Sequence, residues 1–404
     1  MRVDEIRART GLRPLKFPAG ETPHATIEPN RTCNIRCRLC YTLDRASVKS
    51  LGEVKMEIDL ASQKRNLETI TLLGGEPTLH PDLVEIVSHV KAKKLVCQLL
   101  TNGIKFLQDR DDLLLDSLIG AGVDRILCHI DIGQEHVHKN IEETCDTLFS
   151  KLENKRVHFS LSMTIYDDNK GTIPVIIKRY SRYRFFDGVL AILARDPKGQ
   201  ASAVRKCEMT DEYTIIKAQL GIEPTAYIPS NLDDSRVNWL VYHYYINAQT
   251  GKASRIPPIL DRAFRRIYRL RNGRHFFAMS PNPTWGALDF LTTGVASIMT
   301  ESGHVASPFA LLKDSSRGSS IRLQYIIIQN PPEVDRERNQ IQFCFHCPDA
   351  TIRNGRLTPV CIADQLSPLN GGVVSDAIPG DLRQTVYEHL EGPGVATGRN
   401  GGSN

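Results

Sequence analysis

From about residue 25 to 196 the chain alternates short apolar runs with amphipathic stretches. HATIEPN leads into a polar loop, and ETITLLGG is an apolar run closed by two glycines. PDLVEIVSHVKAKK then carries apolar residues at helical spacing, with Pro81 suited to a first turn. The later rounds read alike: LVCQLLTNG before DDLLLDSLIGAG, DRILCHID before IEETCDTLFSKLENK, VHFSLSMTIY before GTIPVIIKRYSRY, and GVLAILARD last. Six strands with helices between them are predicted. Runs so apolar on both faces belong in a parallel sheet. Such alternation follows α/β barrel logic, in which chemistry sits at the C-terminal ends of the strands.

Composition narrows the class. With 404 residues and 41% hydrophobic content, the chain can build one large domain and a smaller appended one. The net charge of +5 is mild and does not call for nucleic acid. The N-terminus MRVDEIRARTGLRPLKFPAG lacks the apolar core of a signal peptide, and no apolar run reaches membrane-spanning length. A soluble, cytoplasmic protein is expected. Ten cysteines in such a setting suit a reducing compartment, where clustered thiols usually bind metal.

The chemistry gathers where strands end. The first leads into CNIRCRLC, which sets Cys33, Cys37 and Cys40 together without a fourth thiol nearby. A structural zinc site closes with four ligands, and an iron-sulfur cube held wholly by protein also takes four. Three thiolates leave one iron of a cube open to a substrate or cofactor; zinc with a remote fourth ligand is the alternative. The second strand ends in GGEP, residues 74–77. Its glycines allow close backbone approach, and Glu76 is a carboxylate fit to pair with an ammonium group. A plain strand-to-helix turn explains the same four residues. Ser160, Ser162 and Thr164 share one face of strand five, and Ser162 is a candidate to line the site. Asp131 closes strand four as a candidate ribose partner, with His129 two residues earlier on the same face. Cys97, Cys128 and Cys145 read as small buried hydrophobes.

CxxxCxxC after the first strand, Tyr41 directly after the last cysteine, GGEP after the second strand and the Thr101-Asn102-Gly103 turn after the third resemble the radical SAM superfamily. The resemblance covers roughly residues 24–196. It implies a partial (β/α)6 barrel in which Cys33, Cys37 and Cys40 hold a 4Fe-4S cluster whose open iron chelates S-adenosylmethionine. It also implies that Gly74, Gly75, Glu76 and Pro77 meet the methionine moiety, with Tyr41, Asn102, Asp131 and Ser162 as further cofactor contacts. Reductive cleavage would then yield a 5'-deoxyadenosyl radical. The cofactor carries that chemistry, while the protein supplies position and exclusion of water.

A second triplet lies in CFHCPDATIRNGRLTPVC, with Cys344, Cys347 and Cys361. Asn354-Gly355 is a strong hairpin signal, and a hairpin returns Cys361 towards Cys347. The arrangement resembles the twitch domain, a shortened relative of SPASM domains, with spacing like that of the MoaA family. That resemblance implies an auxiliary 4Fe-4S cluster on three cysteines, able to bind substrate or accept an electron. Zinc is the alternative, with Cys207 or His346 completing it; Cys207 is also the candidate fourth ligand of a closed auxiliary cluster.

Between the triplets, PPILDRAFRRIYRLRNG predicts an amphipathic helix ending near Gly273, within a stretch that holds seven arginines between Arg255 and Arg274 and one acid, Asp261. A solvated face explains it. The alternatives are an anionic substrate, a flavodoxin- or ferredoxin-type electron donor, or peripheral contact with an anionic membrane. Trp285 is either a substrate-facing aromatic or a core residue, and the Gly-rich end EGPGVATGRNGGSN reads as disordered.

The domain division expected is an N-terminal extension (1–23), barrel core (24–200), insert with the basic helix (201–330), auxiliary-cluster domain (331–390) and tail (391–404). The function expected is hydrogen abstraction from a small-molecule or lipid-precursor substrate. Maturation of a ribosomal peptide is the runner-up, and a non-catalytic iron-sulfur or zinc module stands as the reading from another class.

Overall fold

The computed structural model describes residues 3–391, apart from 195–206, 278–320, 367–377 and the scattered positions 5, 6, 9, 10, 38, 44, 131–133, 135, 136, 139, 336, 337 and 379. Asp131, Trp285 and the tail from residue 392 lie outside the described residues.

The six expected strands all form. After the two-residue β1 (Arg13–Pro14) come β2 (His24–Ile27), β3 (Thr69–Leu72), β4 (Val96–Thr101), β5 (Arg125–His129), β6 (His158–Ile165) and β7 (Phe186–Leu193). From β2 to β7 they pair in parallel, in chain order. The helices between them are α1 (Leu51–Lys64), α2 (Leu83–Ala92), α3 (Ile104–Gln108), α4 (Leu113–Ala121), α5 (Ile141–Asn154) and α6 (Thr172–Tyr180). Each longer one buries a single apolar stripe, such as Val54, Ile58 and Ala61 of α1 or Leu148, Phe149 and Leu152 of α5. Ser50 and Glu53 form a capping box that fixes where α1 starts, close behind the first cysteine loop.

The sheet continues past residue 200. After α7 (Met209–Leu220), the segment expected as an insert supplies β8 (Ala226–Pro229), β9 (Val237–Asn247), β10 (Ala253–Arg255) and, beyond α8 (Pro258–Asn272), β11 (Ile321–Gln329). β11 runs parallel beside β7, β9 pairs antiparallel with β11, and β8 with β9, so one sheet of eleven strands results. β9 is buried along almost its whole length, which is why VNWLVYHYYIN lacks the two-residue alternation of a half-exposed strand.

Two small antiparallel pairs complete the chain: β12 (Glu333–Asp335) with β13 (Gln340–Gln342), and β14 (Ala350–Arg353) with β15 (Arg356–Pro359). The second is the hairpin expected at Asn354-Gly355; both residues take positive φ, +48° and +73°. A last helix, α9 (Gly380–Glu391), follows, and Glu391 binds the Leu357 amide at 2.9 Å.

Candidate functional site

Both cysteine triplets face one cavity of about 270 Å³ inside the barrel. Cys33, Cys37, Cys40, Cys344, Cys347 and Cys361 line it, together with Tyr41, Gly74, Gly75, Glu76, Asn102 and Ser162. Its walls are largely aliphatic and aromatic. The guanidinium it exposes from β5, Arg125, is buried and already bonded to Asp187 at 2.6 Å.

The first loop is held from beneath by β3. Gly75 N donates to Asn30 O at 3.0 Å and Glu76 N to Thr32 O at 2.8 Å. A Cβ on Gly75 would stand 2.1 Å from Thr32 O and 2.4 Å from Arg31 O, so only glycine lets these two backbones meet. The close approach that glycine allows here is therefore between two parts of the chain itself.

Glu76 is buried and nearly saturated. Oε1 accepts from Thr78 N (3.1 Å), Thr78 Oγ1 (2.6 Å) and Thr101 Oγ1 (2.7 Å), while Oε2 accepts from Asn102 N (2.7 Å). Burial pushes its carboxyl above the usual range, against these bonds. Four donors make Glu76 the residue that ties GGEP to the turn after β4, and its Oε2 retains capacity for one more donor. Pro77 is buried and opens a short 3₁₀ turn behind it; it does not line the cavity. Asn102 Nδ2 reaches back to Asn34 Oδ1 at 2.7 Å and lies 4.0 Å from Cys33 Sγ.

Ser162 and His129 are register partners on β6 and β5, 3.4 Å apart, and both line the cavity. The Tyr41 hydroxyl is buried without a hydrogen-bond partner among the described residues, a polar atom that a bound group would satisfy. Gln134, which sequence reasoning missed, donates to Cys37 Sγ at 3.5 Å.

The second triplet is enclosed more tightly. Cys344 and Cys347 are buried, and Cys361 is half-buried. Trp239 Nε1 donates to Cys344 Sγ at 3.0 Å, and Asn238 Nδ2 lies at 3.8 Å. Cys347 is pushed well up by its hydrogen bond to the Cys344 sulfur, then by burial and the neighbouring Cys361, so Cys347 sits beside both other thiols. Arg65 donates to Cys347 O at 3.0 Å and to His24 O at 2.7 Å. The Cys344–Cys347 loop thus rests at the N-terminal end of β2, whereas the first triplet follows its C-terminal end. Only the first obeys the rule that barrel chemistry sits at C-terminal strand ends.

A buried ion network joins the two loops. Glu28 accepts from Arg31 at 2.6 Å and from Arg353; Asp364 accepts from Arg31 and from the Leu43 amide at 2.8 Å. Glu28 and Arg31 precede the first triplet, Arg353 lies within the second, and Asp364 follows it.

Neither candidate completing ligand joins the second triplet. Cys207 packs beside Glu208 O and Glu212 at the start of α7, where burial pushes its thiol up to about 12. His346 turns to Phe17 O at 2.6 Å. Cys97, Cys128 and Cys145 are buried hydrophobes as expected, each pushed up by burial.

Among the described residues, no three His, Cys, Asp or Glu side chains are grouped as ligands of one metal ion would be. An iron-sulfur cube asks for a different pattern, because its three thiolates bind three different irons. The donor set fits a cube: three thiols from each loop line the cavity, with N–H donors directed at Cys37 and Cys344.

Residues 27–154 match the family model described as the radical SAM superfamily. Over 155 residues the chain is 26% identical to the antilisterial bacteriocin subtilosin biosynthesis protein AlbA of Bacillus subtilis, covering 36% of this chain and 34% of that protein. Over 123 residues it is 33% identical to GTP 3',8-cyclase 1 of Mycobacterium tuberculosis, covering 28% of this chain and 33% of that protein. Among solved structures, SuiB of Streptococcus suis bound to the precursor peptide SuiA is similar with a TM-score of 0.40 and 12% identity, over 53% of this chain and 47% of that chain. The chain spans about a third of the length of the two curated relatives, 34% and 33%.

The stretch 27–154 is a radical SAM domain, the mark of an enzyme, and the family implies a 4Fe-4S cluster with S-adenosylmethionine. These matches leave the reaction and the substrate open.

Proposed function

We propose that the protein abstracts a hydrogen atom from a substrate bound in the cavity between two iron-sulfur sites. When bound, the cluster and S-adenosylmethionine supply a 5'-deoxyadenosyl radical. Cys33, Cys37 and Cys40 hold the first cluster, and Cys344, Cys347 and Cys361 hold an auxiliary one. Glu76 positions the turn at Asn102 and offers its remaining Oε2 lone pair to the ammonium group of the cofactor. Tyr41 and Ser162 face the cofactor from the side, and the aliphatic wall excludes water.

One observation carries the reading: six thiols in two separate loops line the same largely apolar cavity. A non-catalytic iron-sulfur or zinc module has no need of a shared cavity, nor of a buried carboxylate with four donors behind one cysteine loop. The cavity favours a small molecule or lipid precursor, since its apolar wall suits a hydrocarbon portion. A peptide substrate is the second reading, supported by the stretch similar to AlbA, whose name places that protein in bacteriocin biosynthesis.

The test is binding and cleavage of S-adenosylmethionine by anaerobically reconstituted protein. The wild type should bind it and, with dithionite, release 5'-deoxyadenosine; Glu76→Ala should bind at least ~10-fold more weakly. No detectable binding by the wild type would favour the non-catalytic module.

A further inference from the structure

The outward face of α8 carries what a solvated helix normally turns inward. Ile259, Ile267 and Leu270 are 55%, 51% and 79% exposed. At 3.6 residues per turn they fall, with exposed Ala263, within a sector of roughly 80°. Arg262, Arg266 and Arg269 border that sector on one side and Arg271 on the other. The acid of the helix, Asp261, is buried and bound to His243 at 3.0 Å and Arg265 at 2.7 Å, so it does not offset them. Arg262 touches Gly11 O at 3.1 Å, and Arg269 stands 3.9 Å from Glu21 while remaining about half exposed.

The opposite face is firmly seated. Tyr268 donates to Glu68, just ahead of β3, Asn66 donates to Gly273 O at 2.8 Å, and Arg274 donates to Leu67 O at 2.7 Å. The orientation of the stripe is thus set by the barrel, and its exposure follows from how the helix docks.

We propose that α8 docks this face on an anionic lipid surface. A narrow aliphatic stripe bordered on both sides by arginines matches an interfacial helix: the aliphatic tips enter the acyl boundary while guanidinium groups reach the headgroup phosphates. A second copy of the same face would set arginine against arginine. A protein partner is disfavoured by the centre of the patch, which is Ile, Ile and Leu with no Trp or Tyr to anchor an interface. The helix packs Phe264 and Tyr268 against Phe276, and the next residue, Phe277, lines the cavity. Docking therefore brings that end of the cavity towards the bilayer; this corollary rests on the proposed function, whereas the docking does not.

The test is co-sedimentation of the full chain with phosphatidylcholine vesicles, with and without phosphatidylglycerol. Wild type should pellet with the anionic vesicles and be released progressively by salt. Ile259→Asp/Ile267→Asp/Leu270→Asp should bind at least ~10-fold more weakly, and Arg266→Glu/Arg269→Glu roughly 30-fold. Both sets lie on the exposed face, so circular dichroism and the iron content of the first site should be unchanged; if the aspartate set misfolds, the glutamate set decides. Wild type left in the supernatant with anionic vesicles would overturn the proposal and point to residues 278–320 or an acidic protein as the cover. Undiminished binding by a folded variant would overturn it as well.

Discussion

The two cysteine loops carry equal numbers of thiols and are built in opposite ways. The first is half-exposed at all three sulfurs and is organised by its neighbours in sequence and in the next two strands. The second buries two of its three sulfurs and draws its surroundings from β9, α1 and the start of β2. An open loop suits a cluster that must share an iron with a cofactor. A sheathed one, with an indole N–H on a sulfur, suits a cluster whose potential is set by the protein.

The sharpest way to break this contrast is to delete thiols on either side. Cys33→Ala, Cys37→Ala or Cys40→Ala should abolish release of 5'-deoxyadenosine, read by chromatography. Removing Cys344, Cys347 and Cys361 together should leave it within about 10-fold of wild type, since the first loop keeps its own supports. Equal loss from both would mean that the loops form one functional unit.

The buried network is the next test, because it is the charged link between the loops. Arg31→Met or Arg353→Met leaves Glu28 or Asp364 short of a partner away from water, at a cost of about 3–5 kcal/mol in urea unfolding. Asp187→Asn, which breaks the buried pair with Arg125 deeper in the barrel, serves as a control with a pH signature. Burial raises the Asp187 carboxyl, but the charges of Arg125 and His158 and their hydrogen bonds outweigh it, so the folded value is lowered. A lowered carboxylate contributes stability above its unfolded value of about 4, which is lost as pH falls through the folded value. The Asp187→Asn penalty should therefore be largest near neutral pH and shrink in acid; a penalty unchanged at low pH would show that shape, and not charge, sets it.

The smallest expected effect is the most specific. Trp239→Phe removes the donor at 3.0 Å from Cys344 while keeping an aromatic ring. The midpoint potential of the proposed second cluster should fall, because N–H donors to sulfur favour the reduced state, and that of the first should not move. An EPR-monitored redox titration separates the two; a shift in the first cluster would contradict the separate environments described here.

The same contrast explains what could be read from the chain beforehand. The first loop was legible because its parts are local: three thiols in eight residues, GGEP ending the next strand, and apolar runs that need only a parallel sheet. The Asn354-Gly355 hairpin was legible for the same reason, as turn chemistry occupies two residues. The role of Glu76 as a hub was not, since its donors at Thr101 and Asn102 reach it only when β3 and β4 pair. Trp239, Arg65 and the Glu28–Arg31–Arg353–Asp364 network were invisible because their partners lie far apart in the chain, more than 280 positions for Arg65 and Cys347. The strands β8–β11 went unassigned because β8 and β9 are buried nearly throughout yet β9 carries polar residues such as Asn238, His243 and Asn247 within the run, so they show neither alternation nor a continuous apolar stretch. Asp131 falls outside the described residues and keeps only its place at the end of the fourth apolar run.

The most direct test of two cluster sites on one cavity is the iron and sulfide content of anaerobically reconstituted protein. Wild type should hold about eight irons and the Cys344→Ala/Cys347→Ala/Cys361→Ala variant about four, with 5'-deoxyadenosine still released. Four irons in both would contradict the account and make the second triplet a site of another kind.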